Sequence, residues 1–214
     1  MKVLLLADEE VAKFYEFYRP GMLSGYDLIL ACGDLHREYL EFLVTMSGKP
    51  LYYVRGNHDD AFDEDPPGGC TCIEDKLTVI NGIRFLGLGG SMRYRSDGTN
   101  MYTERAMRKR IRKLWFPLWL HKGFDVLVAH APAYGMGDME DLPHKGFQCF
   151  VDLIDRYNPL FMVYGHIHGN YGIRKNKVIE YKDTLVVNAW QYAEIEIPDR
   201  KEPIRRFNLF GLIK

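Results

Sequence analysis

Metal-ligating side chains recur in this sequence where short apolar runs end. Five runs are each followed by aspartate, asparagine or histidine: Asp8, Asp34, Asn57 with His58, His130, and His166 with His168. Carboxylates, amide oxygens and imidazoles are common ligands of divalent metals. In open α/β sheets, sites form outside the carboxyl ends of the strands. The pattern therefore predicts one crevice lined by metal ligands.

Each of these residues has an ordinary structural explanation when it is taken alone. An aspartate after a strand commonly caps a turn or helix, and the segment 56–59, Gly-Asn-His-Asp, has the composition of a tight turn. His166 and His168 are more specific, because alternate residues of an extended segment point the same way and two imidazoles can meet one metal pair. Turn chemistry does not explain these residue types at five successive strand ends. The joint pattern favours a site.

The elements that must position these side chains alternate between strand and helix in the first half of the chain. Apolar runs at 3–7, 28–31 and 51–54 are typical of buried strands, and the stretches 11–18 and 37–46 have helical patterns. This alternation predicts βαβ units and a parallel sheet. An antiparallel part is predicted by the runs 77–80 and 83–88 around Asn81-Gly82, a strong hairpin signal.

The second half of the chain adds two helices and a strand-rich tail. Residues 101–122 are predicted to be helical, with Pro117 expected to kink or end the helix, and one apolar stripe is expected from Ile111, Leu114, Trp115, Leu118 and Trp119. A second stripe over residues 147–154 predicts another helix. Strands are predicted at 126–129, 161–164, 178–181, 185–187 and 193–197.

Composition excludes several classes of protein. The 214 residues are 47% hydrophobic and 27% charged, which excludes disorder and predicts one domain over residues 1–214. The net charge of −1 gives no global basic field, and no apolar stretch is long enough for a membrane span or a signal sequence. No membrane partner is expected. Four irregularly spaced cysteines predict free thiols in a reducing, cytoplasmic setting.

Four motifs together make the sequence resemble the calcineurin-like metallophosphoesterases. They are Gly33-Asp34, Gly56-Asn57-His58-Asp59, Ala129-His130-Ala131-Pro132 and Gly165-His166-Ile167-His168, in that family's order. The resemblance implies a two-sheet mixed α/β sandwich flanked by helices, with two metal ions at the strand ends. It assigns Asp8, Asp34 and His168 to one ion and Asp34, Asn57, His130 and His166 to the other. Asp34 would bridge the pair.

The first motif departs from the family's usual Asp-x-His, because Glu10 stands where a ligand histidine is expected. Residues two apart on an extended backbone face the same way, so Glu10 can serve as a ligand with Asp8. The alternative is that Glu10 is an acidic residue at the start of a helix and touches no metal. As a ligand it makes the site harder, which favours manganese, with iron, zinc or magnesium as alternatives, and favours diesters over monoesters.

The resemblance also implies a reaction, the hydrolysis of a phosphate mono- or diester by in-line attack of a metal-bridging hydroxide. His58 is the candidate general acid, because an imidazole holds a proton at neutral pH and releases it as the bond breaks. The segment 33–39 lacks the second aspartate of Gly-Asp-x-x-Asp-Arg-Gly, which disfavours the protein-phosphatase branch. The alternative function is a catalytically weak metal-binding scaffold that acts through a protein or nucleic-acid partner.

Positive charge is concentrated between residues 93 and 122, where nine basic and two acidic residues give +7 in a chain whose total is −1. Arg93 and Arg95 follow a glycine-rich loop and are the candidate substrate-binding residues, with a nucleotide as one possible substrate. The basic helix at 105–113 has two interpretations, an anion-binding surface or a solvated helix face. Its charges cover much of its circumference, which favours the solvated face. Nucleic acid is therefore not the favoured partner, and no oligomeric state is predicted.

Overall fold

The fold is a sandwich of two mixed β-sheets with helices on both outer faces. The computed structural model describes residues 1–169 and 177–198. The strands are β1 (Lys2–Ala7), β2 (Leu28–Ala31), β3 (Leu51–Tyr53), β4 (Thr71–Cys72), β5 (Lys76–Ile80), β6 (Ile83–Leu88), β7 (Ser91–Met92), β8 (Met101–Tyr102), β9 (Val126–Ala129), β10 (Phe161–Tyr164), β11 (Val178–Tyr181), β12 (Thr184–Asn188) and β13 (Gln191–Glu196). The helices are α1 (Arg37–Ser47), α2 (Glu104–Lys113), α3 (Trp115–Leu120) and α4 (Gln148–Tyr157).

Parallel strands form the centre of each main sheet, as predicted. The first sheet has the order β13-β1-β2-β3-β4, and only β13 is antiparallel to its neighbour. The second has the order β11-β12-β10-β9-β6-β5, with antiparallel edges at β11 and β5. β7 and β8 form a separate parallel pair. The predicted sandwich, with its hairpin at Asn81-Gly82, is confirmed.

Three layers of apolar side chains hold the sandwich together. Val3 and Leu5 of β1 belong to the cluster between the two sheets, which also contains Val126 and Val163 of the second sheet. The residues between them in β1, such as Leu4, face the cluster beneath α1. A third cluster packs α2, α3 and α4 on the other side of the second sheet. Strands buried on both faces explain why the sequence shows continuous apolar runs rather than alternation.

The predicted helix at 11–18 is wrong. The structure has only a 3₁₀ turn at Ala12–Phe14, followed by turns. Tyr15 packs edge-on against Tyr39 at 5.4 Å, and Phe14 packs against Tyr192 at 5.2 Å. These aromatic contacts with two different elements override the local helical pattern.

The predicted helix at 101–122 is wrong at its start, where residues 101 and 102 form β8, and the rest of it is two helices, α2 and α3, that break at Leu114, where ψ is 8°. A proline ring clashes with the carbonyl four residues before it, so the helix cannot run continuously into Pro117. It breaks at Leu114 instead, and Pro117 lies in the first turn of α3. The apolar stripe also divides. Leu114 and Leu118 are buried, but Trp115 and Trp119 are 67% and 68% exposed.

Within residues 1–169 and 177–198, no helix has both the length and the apolar character that crossing a bilayer requires. All four cysteines are free thiols, as the irregular spacing predicted.

A buried ion pair joins the amino ends of β6 and β9. The guanidinium of Arg84 contacts both carboxylate oxygens of Asp125, whose side chain is 0% exposed, and the Arg84 backbone N–H donates to the same carboxylate at 2.8 Å. Removing one partner of such a pair leaves an uncompensated buried charge.

We therefore expect Asp125→Ala to lower the free energy of unfolding by about 3–5 kcal/mol in urea titrations followed by circular dichroism. Asp152→Ala is the matched control, because its partner Arg108 is half exposed, and it should cost less than about 1 kcal/mol. Equal losses in the two variants would contradict this assignment.

Candidate metal centre

Sharp backbone turns at three strand ends direct side chains into one crevice. Asp8, Asp34 and His166 follow β1, β2 and β10 and have positive φ angles of 68°, 56° and 67°. Such conformations are uncommon outside glycine, and they cluster at functional sites. At these three positions the chain leaves its strand abruptly, so that the side chains meet in the crevice.

Two motif glycines permit the loops behind the site to touch. A Cβ on Gly33 would lie 2.4 Å from the backbone nitrogen of Gly56 and 2.7 Å from Nδ1 of His130. A Cβ on Gly56 would lie 2.0 Å from Oδ1 of Asp34. Any side chain at either position would force these loops apart. The glycines of Gly-Asp and Gly-Asn-His-Asp are therefore required by close approach.

Four of the predicted ligands converge on one point. The ligand atoms of Asp34, His130 and His166 all lie within 4.8 Å of one another. Nε2 of His130 is 3.1 Å from Oδ1 of Asn57, 3.1 Å from Nδ1 of His166 and 3.3 Å from Oδ2 of Asp34. Two imidazole nitrogens, a carboxylate and an amide oxygen form a donor set that suits a divalent transition metal.

Backbone carbonyls orient both imidazoles. Nδ1 of His130 donates to the carbonyl of Cys32 at 2.8 Å, which leaves Nε2 as the ligand atom. Nε2 of His166 donates to the carbonyl of Pro143 at 2.8 Å, which leaves Nδ1 as the ligand atom. Nε2 of His130 and Nδ1 of His166, the two nitrogens that do not bond a backbone carbonyl, face each other at 3.1 Å. Cys32 and Pro143 were not predicted, because a backbone acceptor has no signature in residue type.

Asp8 and His168 lie beside this cluster. The Asp8 side chain is only 1% exposed, and its two carboxylate oxygens each lie 2.9 Å from the backbone nitrogen of His166. Nε2 of His168 is 3.8 Å from Oδ1 of Asp8. A buried carboxylate next to an imidazole fits a second cation.

Glu10 has a partner that the sequence did not indicate. Its Oε1 lies 2.8 Å from Nδ1 of His36, an imidazole that is 82% exposed at the cavity rim. Glu10 also lines the cavity. Its predicted role as a metal ligand stays a prediction, now with His36 as a competing partner.

His58 and Asp59 have separate positions. His58 is exposed at the cavity, and its backbone N–H donates to Oδ1 of Asp34 at 2.8 Å. Asp59 is buried, and one of its oxygens accepts the backbone N–H groups of Asp34 and Gly56 at 2.8 and 2.7 Å. Asp59 therefore positions the loops that carry Asp34 and Asn57.

Six of the seven predicted ligands line one cavity of about 760 Å³, and His130 is buried behind it. Its lining comprises Asp8, Glu9, Glu10, Asp34, Leu35, His36, Asn57, His58, Tyr94, Pro143, His144, His166 and His168. The segment that carries Arg93 and Arg95 contributes Tyr94 to this lining, while both arginines are exposed beside it. Nε of Arg93 donates to the carbonyl of Met101 at 3.3 Å. Their role in substrate binding stays a prediction.

Two further residues, Asn188 and Trp190, support the site without any motif to mark them. Asn188 donates to the carbonyl of Ile167 at 2.8 Å and accepts from the backbone of Trp190, so it braces the loop between His166 and His168. The Trp190 ring is nearly parallel to that of His168, with 6.4 Å between centroids, and donates to Glu9 at 3.1 Å. The end of β12, visible in the sequence only as a short strand, therefore belongs to the site.

The charges of the cluster set its protonation. Burial opposes ionisation of Asp34, but the adjacent His130 outweighs it and lowers the pKa of Asp34 to about 2. Burial also opposes protonation of His130, yet the Asp34 carboxylate raises the pKa of His130 to about 9. Burial and the repulsion of His130 lower the pKa of His166 to about 3. His166 is thus neutral at pH 7, whereas His130 carries a proton that a bound cation would displace.

Comparison with known proteins assigns this arrangement to a family. The family model of the calcineurin-like phosphoesterases matches residues 7–170, a span that contains all seven predicted metal ligands and His58. The chain belongs to the calcineurin-like phosphoesterase family. Membership supports metal-dependent hydrolysis of phosphoesters, and the Asp34, His130 and His166 cluster fits a metal ion of such an enzyme.

Individual relatives are distant. An uncharacterized protein of Methanocaldococcus jannaschii is 31% identical over 76% of each chain. A UPF0046 protein of Caenorhabditis elegans is 24% identical over 77% of this chain, which spans 62% of that protein's length. The human metallophosphoesterase domain-containing protein 1 is 22% identical, and the match covers 88% of this chain and 58% of the human protein. The crystal structure of TT1561 of Thermus thermophilus has a TM-score of 0.62 at 17% identity and 89% coverage of both chains, which shows the shared fold.

Metal affinity should rise with pH below about 9. A cation that binds Nε2 of His130 displaces a proton that the raised pKa retains at neutral pH, so affinity falls as pH is lowered. With one proton displaced, we expect about a tenfold gain in Mn²⁺ affinity between pH 7 and 8 and a smaller gain between pH 8 and 9, where His130 begins to lose its proton without the metal. Calorimetric titration in buffers of different ionisation enthalpy measures both the affinity and the released proton. Affinity that is constant across this range, with no proton released, would contradict the assignment.

Proposed function

We propose that this protein is a dinuclear metal-dependent phosphoesterase that hydrolyses a phosphate mono- or diester. The observation that carries the proposal is the convergence of Asp34, Asn57, His130 and His166 on one point, with the buried Asp8 carboxylate beside it, in a cavity open to solvent. An open ligand cluster is what a catalytic metal site needs, because the substrate must reach the metal.

Two ligand sets are available. One cation would be held by Asp34, Asn57, His130 and His166, and the other by Asp8, Asp34 and His168, with Glu10 as a further ligand. When bound, the cation pair activates water at neutral pH and neutralises the phosphate oxygens. Asp34 would belong to both sets, and its Oδ1 accepts from the His58 backbone N–H while Oδ2 faces His130.

His58 is the proposed general acid. Its backbone is fixed by Asp34, and its side chain is exposed in the same cavity, within the region that a bound ester would occupy. A proton delivered to the leaving oxygen matters most when that oxygen is a poor leaving group. This role predicts a specific dependence on the leaving group.

We expect His58→Asn to lower turnover of alkyl esters by about 10²- to 10⁴-fold and that of aryl esters with acidic leaving groups much less. Metal content, measured by elemental analysis, should be unchanged. The control is His121→Asn, at an exposed histidine outside the cavity lining. Equal losses on both kinds of ester, with both metals retained, would show that His58 is not the acid.

The identity of the metals is proposed from the ligands. Glu10 in place of a histidine would add a hard oxygen donor and a negative charge to the Asp8 and His168 set, which favours manganese, with iron, zinc or magnesium as alternatives. The added charge also weakens binding of a dianionic monoester relative to a singly charged diester. We therefore propose a manganese-stimulated enzyme that prefers diesters.

The test compares Glu10→Ala with Glu10→His at fixed manganese. If Glu10 is a ligand, the alanine variant should lose one of two bound metals and most activity, because its donor set is incomplete, whereas the histidine variant should retain two metals with altered preference. His36→Ala is the matched control, since it removes the observed partner of Glu10 and leaves the carboxylate in place. Two tightly bound metals and unchanged kinetics in Glu10→Ala would show that Glu10 only pairs with His36.

The substrate is proposed by chemistry alone. Arg93 and Arg95 are exposed on either side of Tyr94, the lining residue, which gives cationic and aromatic groups at one edge of the cavity. Such an edge suits an ester with a ring on its leaving group, of which a nucleotide is one example. The contact between Glu10 and His36 favours a second candidate, a metal-binding scaffold of weak activity, and a panel of mono- and diesters assayed with manganese separates the two.

A further inference from the structure

Helix α3 exposes four large apolar side chains on one surface. Trp115, Phe116, Trp119 and Leu120 are 67%, 51%, 68% and 56% exposed, whereas Leu118 faces the core. We call these four side chains the aromatic face. A contiguous apolar patch of this kind on a protein surface commonly marks a site of interaction. It has no part in the metal centre.

Uncompensated positive charge surrounds the aromatic face. Residues 105–122 contain seven lysines and arginines and no acidic residue. Arg108 pairs with Glu104 and Asp152, and Arg110 is buried against Glu74 and Asp75, so the solvated-face interpretation is wrong for Arg110. Five basic side chains remain exposed toward solvent: Arg105, Lys109, Arg112, Lys113 and Lys122. Charge complementarity therefore favours an anionic partner for this surface.

The packing of the rings argues against a nucleic acid whose bases insert between them. The ring centroids of Trp115 and Phe116 are 5.6 Å apart, and those of Phe116 and Trp119 are 6.0 Å apart. A nucleobase stacked between two rings requires a separation of roughly 7 Å, since each base binds through its π-face at van der Waals distance. Adjacent rings contact each other directly, leave no gap for a base, and form one continuous apolar surface. A second copy of the chain is disfavoured because two basic rims would repel each other.

We infer that the aromatic face and its basic rim dock the protein on an anionic phospholipid surface. Tryptophan and phenylalanine partition into the interfacial region of a bilayer, and lysine and arginine are attracted to anionic headgroups. No spanning helix is needed for such binding. The total charge of −1 gave no reason to expect a membrane partner, but the positive charge is segregated at the surface that carries the apolar groups.

The position of α3 leaves the cavity accessible during docking. The chain passes from α3 through Gly123 to the amino end of β9, where the carbonyl of His121 accepts from Arg84. The metal ligands lie beyond the carboxyl ends of the strands, such as His130 after β9. Docking surface and cavity are thus at opposite ends of the same strand. The inference does not depend on the proposed function.

The test measures binding to vesicles of phosphatidylcholine alone and of phosphatidylcholine with phosphatidylserine, by co-sedimentation and tryptophan fluorescence. We expect binding only to the anionic vesicles, weakened by salt. The triple variant Trp115→Ser, Phe116→Ser, Trp119→Ser should bind at least about tenfold more weakly. The triple variant Lys109→Gln, Arg112→Gln, Lys113→Gln should lose on the order of 100-fold.

Matched controls remove the same groups elsewhere. Phe17→Ser takes away an aromatic side chain that is 69% exposed on the other sheet layer, and Lys13→Gln with Lys76→Gln removes exposed charge outside α2 and α3. Both should bind vesicles as the unsubstituted chain does. Circular dichroism and manganese binding verify that each variant is folded.

Several results would overturn the inference. Failure of the unsubstituted chain to bind anionic vesicles would overturn it. Equal vesicle binding by the serine variant and the unsubstituted chain would overturn it as well. A dimer in light scattering that the serine substitutions dissociate would make the face a contact between copies. Tighter binding of single-stranded DNA than of vesicles, lost in the same variant, would assign the face to nucleic acid.

Discussion

The contact between the loops after β2 and β3 is the constraint on which the site depends. Asp34 is at the centre of it, because its backbone N–H donates to Asp59, its Oδ1 accepts from His58, and its Oδ2 faces His130. The loops meet only because Gly33 and Gly56 have no side chains. One carboxylate therefore connects the proposed acid, the predicted metal ligands and two strands, and a displacement of either loop would disturb all three.

The sandwich brings ligands to this point from both sheets. Asp8 and Asp34 come from strands of the first sheet, and His130 and His166 come from strands of the second. Buried apolar side chains between the sheets, such as Leu5 of β1, fix how far apart the two sets of strand ends lie. Because well-packed cores resist deformation, the apolar middle layer also sets the spacing of the ligands. A substitution in the core between the sheets would therefore also change the distances between the predicted metal ligands.

Much of this was readable in the sequence. Apolar runs that end in Asp34, His130 or His166 predicted the strands and the meeting of these side chains at one point, because strand burial and donor chemistry each depend on residue type. The tertiary contacts were not readable. The pairing of Glu10 with His36 joins distant loops, the aromatic contacts of Tyr15 replace a predicted helix, and Trp119 turns outward although its spacing matches a buried stripe.

The carbonyls of Cys32 and Pro143 that orient the two imidazoles have a consequence for how this site changes in evolution. A hydrogen bond to a main-chain oxygen is made whatever side chain that residue carries, provided that the backbone keeps its path. Substitutions at these two positions are therefore filtered by packing and loop shape rather than by metal chemistry. Cys32 is fully buried between the sheets, so its replacement must stay apolar and small, yet no particular side chain is needed there to hold the imidazole of His130.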